Sequence, residues 1–177
     1  MTVSGGRVYV ASSKASAVDS SGALTISGGY MVAIGASATE SALNASRGAF
    51  TVTGGVFVGI GGGNSTPAAD TATQNIISAR NVSAGQWTLR DASGNAVFSY
   101  HAPKPAQALL ASSPLIVTSG SYSAVTGGAL GSAGEDFHGL AINPTTHTGG
   151  TAGGIAILPT TAIDSLLPNQ PPTMEKK

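Results

Sequence analysis

The sequence predicts an all-β protein in which two to three coils of a right-handed parallel β-helix (a β-solenoid) lead into a C-terminal β-rich cap. Glycine pairs recur at Gly5, Gly28 and Gly54, which are 23 and 26 residues apart. The segments around these pairs are rich in Val, Ile, Thr and aromatic residues, which favour strands. The predicted divisions are residues 1–63 for the coils, 64–160 for a cap continuous with the solenoid, and 161–177 for a flexible tail.

The repeated unit is visible residue by residue. The segment ALTISGGYMVAIGAS at 23–37 aligns with AFTVTGGVFVGIGGG at 49–63, and a third copy, TVSGGRVYVASS, opens the chain. A unit of this size cannot bury its own apolar face, whereas stacked copies bury a continuous core. We expect each glycine pair to form a corner between two short strands, because glycine adopts positive φ at no steric cost.

Two structural alternatives remain open at this level. Hairpins of an antiparallel sandwich that resemble one another would also repeat, although agreement over some 15 residues favours the solenoid. The apolar runs also lack alternation, so the inward face is undetermined. Either Met31 and Phe57 face the core, or Val32 and Ile34 do so together with their counterparts in the next copy.

The second part of the chain changes in composition and predicts a different set of strands. Its clearest element is a hairpin over 85–103, with the turn at Asp91–Asn95. The remaining predictions are a crossing loop at 61–74, strands at 75–80 and 153–159, a strand, Ser-Gly turn and strand over 112–128, and a loop over 131–152.

Composition excludes several classes of function. Eight acidic residues balance eight Lys and Arg, so there is no basic excess to neutralise the phosphates of a nucleic acid. No apolar run reaches the roughly 18–20 residues of a membrane-spanning helix, so we expect no membrane insertion. The absence of Cys excludes disulfides and Cys-based metal sites. A hydrophobic content of 41% argues for a folded domain.

The chain resembles the bacterial carbohydrate-binding domain-containing proteins, a family of secreted right-handed parallel β-helices similar to pectate lyases. The resemblance is carried by GALTISGG at 22–29, GAFTVTGG at 48–55 and the order of motifs over 65–128, and it covers roughly residues 1–158. It implies that the chain is the C-terminal portion of such a protein. It also implies an extracellular or cell-surface location, with the signal peptide outside this sequence.

The resemblance implies binding of a plant or microbial polysaccharide, with pectic or cellulosic glycans as the leading class. The family is associated with calcium, and Asp19 matches the second acid of the calcium motif, while Asn44 follows one coil later. Stacked in a parallel ladder, the two would lie about 5 Å apart. Calcium needs six to eight oxygen ligands, and an Asx turn is the alternative role. We therefore expect no required cofactor, with calcium as the one candidate.

Aromatic side chains are the usual sugar-stacking groups, and four of them are candidates here, together with one arginine that would attract an acidic sugar. Burial in the core is the alternative role for each aromatic ring. Tyr9 and Tyr30 occupy similar places in successive copies, whereas Trp87 and Tyr100 lie on the two arms of the predicted hairpin. The candidate carbohydrate-binding residues are Arg7, Tyr9, Tyr30, Trp87 and Tyr100.

Catalysis is not expected. Glu135, Asp136 and His138 fall together in GEDFHG, which suits acid–base chemistry or a metal, but neighbours in a Gly-rich loop need not converge and we favour a solvated loop. The other acids are scattered and form no glycosidase or lyase motif. The predicted function is a non-catalytic polysaccharide-binding module. The alternatives are a structural or adhesive surface solenoid and a fragment of a polysaccharide lyase. We also expect self-association through the exposed N-terminal coil.

Overall fold

The computed structural model is all-β. It describes residues 1–68, 71–118, 120–132 and 134–152, and the backbone of 156–158; the predicted tail at 161–177 lies outside these residues. Within the described ranges, no helix is long and apolar enough to cross a membrane. The strands are β1 Thr2–Ala11, β2 Val18–Asp19, β3 Leu24–Ile34, β4 Leu43–Asn44, β5 Phe50–Gly61, β6 Ile76–Val82, β7 Gly85–Asp91, β8 Ala96–Ala102, β9 Ala106–Ser112, β10 Tyr122–Thr126, β11 Ala129–Leu130, β12 Glu135–Phe137, β13 Leu140–Ile142, β14 His147–Thr148, β15 Thr151–Ala152 and β16 Ala156–Leu158.

The repeated segments pair with one another in parallel. β1, β3 and β5 lie side by side, and β2 pairs with β4 in a second, short ladder. Leu24 is opposite Phe50 and Ile34 is opposite Ile60, as the sequence alignment of the repeat predicts. The pairing of these segments therefore follows the repeat, and they do not form antiparallel hairpins with one another.

The prediction that each glycine pair forms a corner between two strands is wrong. β3 and β5 run without interruption through their pairs, and the ladder shifts register there, as at a β-bulge. Gly29 and Gly55 both have φ of 82°, so the positive φ that the sequence predicts is present. It coincides with the register shift inside a continuous strand and does not separate two strands.

Both candidate inward faces are buried, which explains why the apolar runs do not alternate. Met31 and Phe57 pack with Leu43 in a core between the long ladder and the β2–β4 ladder. Val32 and Ile34 lie on the opposite face of β3, in a second core shared with the antiparallel sheet below. Strands covered on both faces are apolar throughout, as in other parallel sheets.

The cap completes the first sheet and builds a second one. The first sheet has the order β1-β3-β5-β9-β6-β16, with antiparallel pairing from β9 onward. The second, antiparallel sheet has the order β12-β13-β8-β7-β10-β15. The sequence correctly predicts the β7–β8 hairpin, the strand at 75–80 and the crossing loop before it.

Two predictions in the cap need correction. The first strand expected within 112–128 is absent, because β9 ends at Ser112, just before Pro114, which has no N–H to donate, and residues 113–118 contain no strand. The predicted loop over 131–152 contains four short strands. β12 and β13 form a local hairpin and β13 also adds to β8, but strands of two or three residues are too short to produce a periodic pattern in the sequence.

Candidate functional site

The candidate site is built by the β12–β13 hairpin, which lies over the first strand of the parallel ladder. Its two-residue turn consists of His138 and Gly139, with φ of 51° and 87°, the combination that a type I′ hairpin turn requires. The N–H of His101 donates to the carbonyl of Gly139 at 2.8 Å, and Leu140 pairs with Tyr100 on β8. The hairpin is thus held to the second sheet while its turn reaches β1.

Two side chains of β1 meet this hairpin. The Arg7 guanidinium forms a two-pronged ion pair with Glu135, with 2.6 Å between Nη2 and Oε2, and lies 5.9 Å from the centroid of the Phe137 ring. Tyr9 and His138 stack with ring centroids 3.6 Å apart and planes 8° from parallel. Both contacts join residues about 130 positions apart in the chain.

An open groove of about 350 Å³ runs beside this stacked pair. Tyr9 is 43% exposed although its ring stacks on the imidazole, so the residue keeps a large accessible surface. The groove combines an aromatic platform with polar groups that donate and accept hydrogen bonds. Its lining residues are Tyr9, Ile34, His101, Pro103, Asp136, His138 and Gly139.

A buried hydroxyl lies close to this groove. Tyr100 is fully buried, and its Oη has no hydrogen-bond partner among the described residues. Burial raises the pKa of this hydroxyl well above its usual range, with smaller contributions from Tyr9 and Asp136. The hydroxyl therefore stays neutral. The Tyr100 ring lies against the groove lining, since a methyl group at Gly139 would come within 3.4 Å of Tyr100 Cε2.

The structure brings only two of the predicted carbohydrate-binding residues to this site, Arg7 and Tyr9. Trp87 and Tyr100 do lie directly opposite each other, so they share a face of the hairpin as expected. Both are buried, at 6% and 0% exposure, and Trp87 Nε1 donates to the carbonyl of Ser83. Their role as sugar-stacking surfaces is corrected to core packing, because neither ring faces solvent.

Tyr30 does not join Tyr9. The ladder register places Tyr30 beside Arg7 and Val56, whereas Tyr9 is opposite Val32. Tyr30 is half-buried against the second core and lines a separate small pocket of about 140 Å³ with apolar neighbours. When the glycine pairs of the first two copies are aligned, Tyr9 and Tyr30 fall two positions apart. The sequence alone therefore predicts that they are not neighbours.

Asp19 and Asn44 stack in the β2–β4 ladder as predicted. The Asn44 amide donates to Asp19 Oδ1 at 3.2 Å, so the two side chains bond each other. Across the part of the chain that the structure describes, no cluster of three or more His, Asp or Glu forms a metal-binding group. One carboxylate and one amide oxygen fall well short of the ligands that calcium needs.

The groove also contains residues that sequence reasoning passed over. His101 has no visible partner in the sequence, and the pattern of GEDFHG favours a solvated loop. One signal was present, since His-Gly between Phe137 and Leu140 suits a two-residue hairpin turn. Nothing in the sequence indicated that this hairpin contacts β1.

Comparison of the chain with protein-family models, with curated proteins and with solved structures finds no match. The family resemblance of the sequence therefore stays a prediction.

Proposed function

We propose that this chain is a non-catalytic, extracellular or cell-surface polysaccharide-binding module, built on coils of a right-handed parallel β-helix with a β-rich cap. The two parallel ladders, β1-β3-β5 and β2-β4, and the core packed between them support the fold. The motif resemblance supports the location. The observation that carries the binding function is the stacked Tyr9–His138 pair beside an open groove that is lined by both apolar and polar groups.

This pair suits a pyranose ring. Sugar rings have an apolar face that packs on aromatic groups, and hydroxyls that exchange hydrogen bonds with polar groups around it. Tyr9 supplies accessible aromatic surface, while His101 and Asp136 supply polar groups on the same groove. An open groove also admits an extended chain, whereas an enclosed pocket would accept only a chain end.

The charges around the groove favour a neutral glycan. The Arg7 guanidinium is engaged by Glu135, which leaves little net positive charge to attract a uronate. Asp136 adds a carboxylate to the lining, which repels an anionic ligand. Within the pectic and cellulosic class, we therefore propose a neutral cellulosic chain as the preferred ligand over polygalacturonate.

The absence of catalysis belongs to the same proposal. Glycoside hydrolysis generally uses two carboxyl groups on either side of the scissile bond. Asp136 is the one carboxylate among the described lining residues, and the nearby Glu135 is paired with Arg7. We expect no release of reducing or unsaturated products on prolonged incubation with cellulose, pectin or polygalacturonate.

The test is retention of the purified chain on immobilised cellulose, pectin and polygalacturonate. We expect salt-resistant retention on cellulose and weaker retention on polygalacturonate. Tyr9→Ala should weaken binding roughly tenfold because it removes the aromatic surface, whereas Tyr9→Phe should keep it. Trp87→Phe is the matched control for a buried ring and should bind like the wild type.

Two outcomes would contradict the proposal. Equal retention of Tyr9→Ala and the wild type would place the site away from the groove. No retention of a folded sample on any polysaccharide would favour the structural or adhesive alternative, which the open edge of β1 supports. Calcium is tested separately by repeating the retention assay with a chelator. Loss of retention would make Asp19 a calcium ligand despite its hydrogen bond to Asn44.

A further inference from the structure

The first strand of the long ladder has an unused edge. β1 pairs with β3 on one side and stands at the end of its sheet, so no described strand pairs with its other side. β1 is ten residues long, and the backbone N–H and C=O groups of its alternate residues, which point away from β3, are available for strand addition. The glycines of the repeat indicate what kind of strand this edge fits.

In the second and third copies of the repeat, glycine is required by the strand that precedes it. A methyl group added at Gly28 would lie 2.6 Å from the carbonyl oxygen of Ser4 on β1. At Gly54 the same methyl would lie 2.5 Å from the carbonyl oxygen of Ser27 on β3. Each glycine therefore makes room for the backbone of its neighbour on the N-terminal side.

The first copy has the same glycine with no such neighbour. A methyl group at Gly5, the counterpart of Gly28 and Gly54, would meet nothing within 4 Å, and Gly5 does not have positive φ. Gly22 shows the same pattern, because its counterpart Gly48 is pressed against the backbone of Gly22, while Gly22 itself faces open space. Neither glycine is needed for the contacts of this chain.

We propose that the free edge of β1 is a docking site for a parallel β-strand that carries the same Ser/Thr-Gly-Gly core as the repeat. Its Ser or Thr carbonyl would approach Gly5 as that of Ser4 approaches Gly28. This inference rests on the parallel pairing of β1 and β3 and is independent of glycan binding.

A second copy of this chain fits the edge less well. The far side of the parallel ladder is occupied, since β9 pairs with β5 in the antiparallel direction, so copies cannot stack head to tail there. Two copies related by a two-fold axis would pair β1 with β1 in the antiparallel direction. That arrangement does not align the glycine bends, which match only between parallel strands. These observations favour addition of a parallel strand over the self-association that the sequence predicts.

The experiment adds a labelled peptide of residues 22–36 to the full chain, with affinity and amide hydrogen exchange as readouts. We expect binding that protects the amides of β1. Gly5→Val should leave the melting temperature unchanged but weaken peptide binding roughly tenfold, because the side chain fills the space of the incoming carbonyl. Gly63→Val is the matched control, since a methyl group there also meets nothing within 4 Å.

The direction of the added strand can be tested by disulfide cross-linking, because the chain has no native Cys that would compete with an introduced one. The β1–β3 register pairs Ala11 with Ile34 and Thr2 with Thr25. Ala11→Cys should therefore form a disulfide with a peptide carrying Cys at position 34, and not with one carrying Cys at position 25. A peptide with Gly29→Val should not bind, because a β-branched residue is strained at the positive φ of that position.

Three results would overturn the proposal. They are unchanged exchange of β1 amides at saturating soluble peptide, equal binding by Gly5→Val and the wild type, and preferential cross-linking to position 25. A dimer of the chain that pairs β1 with β1 and excludes the peptide would also overturn it. Glycan retention is unaffected by any of these outcomes, so the two proposals fail separately.

Discussion

At the scale of single residues, burial decides which aromatic groups are available to a ligand. The sequence singles out Tyr9 and Tyr100 alike, yet one is 43% exposed and the other fully buried. The difference arises from position in the sheets, since Tyr9 lies on an end strand and Tyr100 on β8, an interior strand of the second sheet. Residue type alone does not contain this information.

Tyr100→Phe should stabilise the protein. The Tyr100 hydroxyl is buried without a described partner, which carries a desolvation cost that phenylalanine avoids. We expect the free energy of unfolding to rise by about 1 kcal/mol in urea denaturation. Tyr122→Phe is the opposite control, because the Tyr122 hydroxyl accepts from the N–H of Val117 at 2.8 Å, and its loss should destabilise by a similar amount. A loss of stability in Tyr100→Phe would mean that its hydroxyl has a partner.

At the scale of elements, the β7–β8 hairpin shows how a local sequence signal specifies structure. Asp91 accepts from the N–H groups of Ser93 and Asn95 at 2.9 and 2.8 Å, and its other oxygen accepts from the Asn95 side chain at 3.0 Å. These bonds, led by that from the Asn95 side chain, lower the pKa of the Asp91 carboxyl below its ordinary value of 3.8.

The consequence is a pH-dependent contribution to stability at acid pH. Because the folded-state pKa of Asp91 is below the unfolded value, its contribution is fully present above pH 3.8 and is lost as pH falls through the folded value. Asp91→Asn should flatten this part of the stability profile, measured by urea denaturation between neutral pH and the acid limit of folding. An unchanged acid profile in the variant would show that the turn bonds do not favour the carboxylate.

The elements also show where sequence reasoning succeeds and where it fails. The β3–β5 register and the β7–β8 turn were predictable, because repeated residues and turn residues act locally. The position of the β12–β13 hairpin was not, since β13 pairs with β8 and the hairpin contacts β1 through Glu135 and His138. The corner assigned to Gly28 and Gly29 failed because positive φ also fits a register shift within an uninterrupted strand.

At the scale of the whole molecule, the groove exists because the last third of the described chain returns to the first strand. Arg7 and Tyr9 come from β1, whereas Glu135 and His138 come from the hairpin that lies over it. The sequence identified both groups separately, but no local pattern joined them. A site assembled from distant segments is predictable only after the sheet order is known.

The most direct test of the proposed site uses the histidine side chains as reporters. The sequence contains three histidines, of which His101 and His138 line the groove. The third, His147, is buried and its ring contacts the carbonyl of Gly127. Addition of a soluble cello-oligosaccharide should shift the imidazole NMR signals of His101 and His138 and leave those of His147 unchanged. Bound oligosaccharide that shifts neither groove signal would contradict the proposal that this groove is the binding site.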